Sequence, residues 1–188
     1  MATQRVIGFE IKRNVFHLVF GLFIAYLIFI FDRTELINLL SGMLIIAILV
    51  SREAKFNKRI PVVSWLLKNF ERKRVWPGTG AITFITGALV SLLFFPKDAV
   101  FIAMIILAIG DSFSTIFGKI YGKHKIHGKK TLEGFLAGFF GSFIAVSFII
   151  TPIVAFITCF AAALIELFAV LDDNLLVPIT VSALLFVI

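Results

Sequence analysis

Apolar runs, broken at charged and Pro/Gly positions, divide the chain into seven segments: Val15–Phe31, Leu36–Val50, Gly80–Phe95, Ala99–Phe117, Leu132–Ile150, Pro152–Leu171 and Leu175–Ile188. A helix crossing a bilayer needs about 20 predominantly apolar residues. The pattern therefore predicts an all-α fold, a polytopic transmembrane helix bundle of about seven spans. The second and last segments are short, which longer helices or local thinning of the membrane would accommodate. Basic residues precede the first run as in a signal peptide. No small-residue cleavage site follows it at Ile30-Phe31-Asp32, so a retained span is expected.

The polar segments between the runs alternate in charge. Of 18 Lys+Arg, three fall in the N-terminal tail (Arg5, Lys12, Arg13), eight in Ser51–Thr79 and five in Gly118–Thr131. Arg33 and Lys97 stand alone in the two short connections between. By the positive-inside rule the tail and both long loops are cytoplasmic, so the N-terminus is expected inside and the C-terminus outside. The acidic turn Asp172-Asp173-Asn174 breaks this pattern. Within the first long loop, Phe56–Phe70 mixes apolar and basic residues around Trp65. It reads as a helix lying in the headgroup plane.

Composition sharpens this picture. Hydrophobic residues make up 60% of the 188 residues and charged residues 15%, with a formal net charge of +7. A soluble domain carries about 45–50% apolar residues. The basic excess therefore reads as membrane topology, and no nucleic-acid partner is expected. A single cysteine, Cys159, excludes an intramolecular disulfide and any multi-cysteine metal site.

Ionisable groups inside apolar helices are costly and mark function. Asp111 lies in the fourth segment, sharing a face with Ser114, Thr115, Gly118 and Gly122. Glu133 opens the fifth. Glu166 lies in the inner half of the sixth, and Asp173, seven residues on, is expected two turns along the same face. Asp172 and Asn174 complete that turn, and Asn14 and His17 enter the first helix. All are expected at one depth, near the inner surface. Such acids suit Mg²⁺, which binds through a few carboxylates plus phosphate oxygens. Beside them, Gly118–Thr131 carries glycines that let backbone N–H groups approach an anion, lysines that supply charge, and a helix N-terminus near Thr131. Acids that hold a cation next to a loop that holds phosphate point to a metal-bound nucleotide. The loop is not a Walker A sequence, because five residues separate Gly122 from Gly128 and Lys130 follows Gly128-Lys129. Gly134, Gly138 and Ser142 at four-residue spacing predict close helix packing and no chemistry.

These residues resemble a known family. Gly110-Asp111-Ser112, Gly118, Gly122-Lys123 and Gly128-Lys129-Lys130-Thr131-Leu132-Glu133-Gly134 resemble the central signature of the CTP-dependent polyprenol and lipid kinases, which include dolichol kinase, phytol kinase and the fungal-type CTP-dependent diacylglycerol kinase. Glu166, Asp172-Asp173-Asn174-Leu175 and Pro178 resemble their C-terminal signature, and Lys12-Arg13, His17 and Gly21 the N-terminal one. Ser112 and Ser114 stand where alanines are common in that family. The resemblance spans about residues 10 to 180. It implies that the γ-phosphate of CTP passes to the hydroxyl of a membrane lipid alcohol, in one integral-membrane catalytic domain (1–188) with its active site on the cytoplasmic face. It implies that Asp111, Asp172 and Asp173 hold Mg²⁺. Lys123, Lys129 and Lys130 would cradle the phosphates, and Glu133 or Glu166 would orient or deprotonate the acceptor. Two other readings compete. A CTP-using cytidylyltransferase would make a CDP-lipid, but its usual Pro-Gly-His-Gly-Gly segment is only echoed by Pro77-Gly78-Thr79-Gly80. A transporter would place its acids at the membrane midplane.

Overall fold

A computed structural model of the chain describes residues 2–56, 65, 76–168 and 171–188. Seven helices form among them: α1 (Ala2–Ile30), α2 (Arg33–Phe56), α3 (Thr79–Phe94), α4 (Lys97–Ile120), α5 (Leu132–Val146), α6 (Pro152–Phe168) and α7 (Asp173–Val187). The protein is all-helical apart from one small hairpin, β1 (Lys125–His127) and β2 (Lys130–Thr131). Three helices are long and apolar enough to cross a membrane: residues Gly8–Ile30 of α1, then α2 and α4. The other four are apolar but shorter, at 15 to 17 residues.

The long helices exceed the apolar runs because their charged ends are helical too. Helix α2 continues through Ser51–Phe56, which the sequence pattern assigns to a loop, and α4 includes Lys97 and Lys119. The fifth run is shorter as a helix than expected. Helix α5 stops at Val146, and Ser147–Thr151 form a turn before Pro152, which suits a first helical position. The interfacial helix expected over Phe56–Phe70 falls, apart from Phe56 and Trp65, outside the described residues.

Helix α4 is the centre. Val100, Ala103, Met104, Ile106, Leu107 and Ala108 are fully buried, and α4 packs on α1, α5 and α7. Small residues let these helices approach. A Cβ on Gly21 of α1 would stand 2.6 Å from Ala108 Cβ, and one on Gly138 of α5 would stand 2.8 Å from the Gly110 carbonyl oxygen. Gly134 meets Ser114 and Gly118 in the same seam. The close packing expected from Gly134, Gly138 and Ser142 is therefore present. Away from the core the surface is apolar: Val19, Phe23, Phe29, Ile45, Ile46, Phe148 and Ile153 all face outward. A face this large and apolar belongs against lipid or protein rather than water.

The helix ends carry distinct devices. Asp32 precedes α2, and Glu35 accepts a hydrogen bond from the Asp32 amide at 3.3 Å, as in a capping box. At the same end Lys97 donates to the carbonyls of Phe29 (3.3 Å) and Phe31 (3.2 Å), and Arg33 donates to Leu93 (2.9 Å). Both isolated basic residues thus satisfy carbonyls at helix C-termini. At the opposite end the last turn of α2 meets the start of α3. Trp76 Nε1 donates to Ser51 Oγ at 2.8 Å, and Ser51 Oγ in turn donates to the Pro77 carbonyl. Lys55 Nζ lies 3.2 Å from the Trp76 ring centroid, a cation–π contact.

Candidate active site

The site lies between α4, α5, α6 and α7, towards the hairpin end of the bundle. Asp111 sits nine residues before the end of α4, about 14 Å in at the usual helical rise. Asp111 thus lies about two and a half turns inside its helix, in keeping with its expected depth. Glu166 comes from the last turn of α6 and Asp173 from the first turn of α7. These two do not share one helix face, as the sequence spacing suggests. The chain breaks between α6 and α7, and two separate helices bring them together. A narrow cavity of about 10 Å³ joins Gly110, Asp111, Ser142, Glu166 and Asp173.

The start of α7 is set by Asp172, whose carboxylate accepts from the Asn174 amide at 3.0 Å. Pro178 cannot donate to the Asn174 carbonyl four residues back. That carbonyl lies against Gly87 of α3, where a Cβ would also meet Pro178 Cγ at 2.9 Å. Helix α7 is thus seated with its N-terminus part-way along α3, beside the acids. The Asn174 side-chain oxygen is buried without a hydrogen-bond partner among the described residues.

Lys130 enters the site from β2. Its Nζ donates to Glu166 Oε1 at 2.6 Å. Burial works against its charge, but Glu166, Asp111 and Asp173 outweigh that and hold the ammonium above the ordinary lysine range. Ser114 Oγ donates to the same Glu166 oxygen. Glu166 Oε2 has no hydrogen bond among the described residues. On the other side of Asp111, Thr115 Oγ1 donates to its Oδ1 at 3.4 Å and His17 Nε2 lies 3.6 Å from its Oδ2. The His17 ring stands edge-on to Phe84 at 5.2 Å. Among the described residues no three acids, histidines or cysteines are gathered tightly enough to hold a metal ion by themselves.

The hairpin reaches this site through Lys130. His127 and Lys130 pair across it, and Gly128 takes the first turn position with φ 53°, where two-residue hairpin turns favour glycine. His127 packs on Phe168 of α6, with ring centroids 5.7 Å apart. The base of the hairpin is pinned by Glu133, which accepts from His124 Nδ1 at 2.7 Å and from its amide at 3.2 Å.

The expected site residues therefore divide. Asp111, Glu166, Asp173 and Lys130 come together, with His17 at the edge. Glu133 is held by His124 instead. Asp172 caps α7. Gly118 and Gly122 are used in packing: a Cβ on either would crowd Thr131, at 3.0 Å from Oγ1 and 2.7 Å from Cγ2 respectively. Thr131 caps α5, accepting from the Gly134 amide at 3.2 Å. Lys123, Gly128 and Lys129 are exposed, as is Lys12. Arg13 pairs with Glu10 at 3.1 Å, and Lys119 reaches the same carboxylate at 3.6 Å. Glu10 is absent from the sequence-based candidates, although Glu10, Asn14 and His17 follow i, i+4, i+7 spacing on one face of α1. Ser112 Oγ donates to the Asn14 carbonyl at 3.1 Å, tying that face to α4.

The chain is similar in sequence to an archaeal protein. The chain is 39% identical over 181 residues to uncharacterized protein MJ1137 of Methanocaldococcus jannaschii, covering 92% of this chain and 91% of that one. It belongs to the same family as MJ1137. No family model matches the chain, and no solved structure matches it.

Proposed function

We propose that the protein is an integral-membrane lipid kinase that moves the γ-phosphate of CTP to the hydroxyl of a membrane lipid alcohol. One observation carries this reading: Asp111, Glu166 and Asp173, from three different helices, converge with Lys130 at one end of an apolar bundle. In this reading all seven helices span the bilayer, with the N-terminus and hairpin cytoplasmic and the C-terminus outside. The nucleotide arrives from the cytosol, and the lipid hydroxyl arrives along the bundle. CTP as donor rests on the resemblance of the signature residues.

The donor set fits Mg²⁺. Carboxylates are hard oxygen ligands, the site already draws in a cation, and Mg²⁺ needs only one or two carboxylates once phosphate oxygens are present. Asp111 and Asp173 are the residues that would hold it, with Asp172 adding charge behind Asp173. Bound there, the ion would neutralise the negative charge that phosphoryl transfer accumulates. Lys130, with exposed Lys123 and Lys129 beside it, would hold the phosphates. Glu166 is the better base than Glu133, because its Oε2 is unengaged while both Glu133 oxygens are held by His124. Glu166 would take the hydroxyl proton as the alcohol oxygen bonds the γ-phosphorus, the bridge to the β-phosphate breaks, and CDP leaves.

The test uses purified protein in detergent with Mg²⁺ and a panel of isoprenoid alcohols, diacylglycerol and phosphatidic acid. One sample receives CTP labelled at the γ-phosphate, the other CTP labelled at the α-phosphate. Label entering lipid from the γ position alone is the expected result. Label from the α position alone would instead make the protein a cytidylyltransferase, and no label from either would overturn the kinase reading.

A further inference from the structure

The acid cavity holds about 10 Å³, room for roughly one water-sized group. Mg²⁺ keeps several of its own waters and dehydrates reluctantly. A metal–phosphate ligand therefore needs more room and more free acid than the site offers as it stands. One cation already engages an acid of this site: Lys130, with its Nζ 2.6 Å from Glu166 Oε1. It is carried on a flexible stem by a hairpin that touches α6 at two places, Lys130 on Glu166 and His127 on Phe168. The base of the hairpin is fastened separately, through His124, Glu133 and the Leu132 amide on the His124 carbonyl at 2.8 Å. Its α6 contacts can therefore open while its base stays fixed.

We propose that Lys130 is a tethered plug, which closes the acid site against free divalent cation and is drawn out onto phosphate when cation and polyphosphate arrive together. This rests on the kinase reading only for the identity of the phosphate ligand. An ammonium held on Glu166 repels a divalent cation at the neighbouring Asp111 and Asp173, so the plug weakens binding of metal alone. Once moved onto phosphate, the same lysine becomes part of the binding surface. Metal and phosphate then bind cooperatively, each favouring the other by the same factor. A site arranged in this way does not collect bare cation and exposes its acids only with the donor present.

The experiment is a titration of the full chain in detergent with Mn²⁺, read by the paramagnetic signal of the free ion, with and without inorganic triphosphate. In the native chain, Mn²⁺ alone is expected to bind weakly and triphosphate to tighten it strongly. Lys130→Met should bind Mn²⁺ alone at least about tenfold more tightly, because one repelling charge is gone, and should lose most of the tightening by triphosphate. Lys130→Arg should behave as the native chain does. Lys130→Gln serves in place of Met if the Met variant does not fold. Unchanged or weaker Mn²⁺ binding in the neutral variants overturns the plug. The two readings fail separately: a chain that shows this binding pattern but transfers no label keeps the plug and loses the kinase, and the opposite result does the reverse.

Discussion

At Glu166 two donors, Ser114 and Lys130, share one carboxylate oxygen and leave the other open. Ser114 therefore acts as a positioning residue, fixing where Oε2 points. Removing a hydrogen bond to a charged group costs about 1.5–3 kcal/mol. Ser114→Ala is expected to lower kcat for γ-phosphate transfer about tenfold or more, with KM for CTP little changed, and Ser114→Thr to restore much of it. A matching fall in both variants with a rise in KM would point to altered packing instead. The Lys130 ammonium gives a pH prediction. Its folded pKa lies above its unfolded value, so its contribution to stability is complete below the unfolded pKa of about 10.4 and is lost as pH rises through the higher folded value. The difference in melting temperature between the native chain and Lys130→Met should thus shrink as pH rises beyond about 10. Asp111 and Glu166 were legible in the sequence because charge is rare in apolar helices, and Lys130 because it belongs to a glycine- and lysine-rich loop next to them in the chain. The role of Ser114 was not, because a serine in a helix carries no sign of what it faces.

Among the elements, the α4–α5 seam is the part of the fold most open to a direct test. Gly138→Val would drive a branched side chain into the Gly110 carbonyl and Ser114, and is expected to destabilise the bundle by about 1–3 kcal/mol or more. Gly42→Ala, in α2 with nothing within 4 Å of its added Cβ, should be neutral or slightly stabilising. Equal melting temperatures for the two variants would contradict the close approach. The i, i+4 spacing of Gly134, Gly138 and Ser142 showed this seam in advance. The hairpin was hidden, because a run of glycine and lysine supports an anion-binding loop and a tight turn equally well. Only the pairing of His127 with Lys130 decides for the turn. Helix limits were misjudged for a related reason. Long charged side chains at Arg33, Lys55, Lys97 and Lys119 sit within helices and find partners on neighbouring elements, so charge did not mark where the helices stop.

For the molecule as a whole, the alternation of the helices predicts which side each connection faces. On a Cys159→Ala background, Ile126→Cys in the hairpin and Thr151→Cys in the α5–α6 turn should react with a membrane-impermeant maleimide from opposite faces of a sealed vesicle. Labelling of both from one face would refute seven spans. Asp173 was correctly grouped with Asp111 from sequence, yet for the wrong local reason: a chain break, not a continuous helix, delivers it. A last consequence concerns the Trp76, Ser51 and Lys55 contacts, which bring the chain back at Trp76 beside the point it left in α2. These contacts clamp the end of α2 to the start of α3 through side chains of the helices' own ends. A cut in the chain between Phe56 and Trp76 should therefore leave the two helix ends docked on each other.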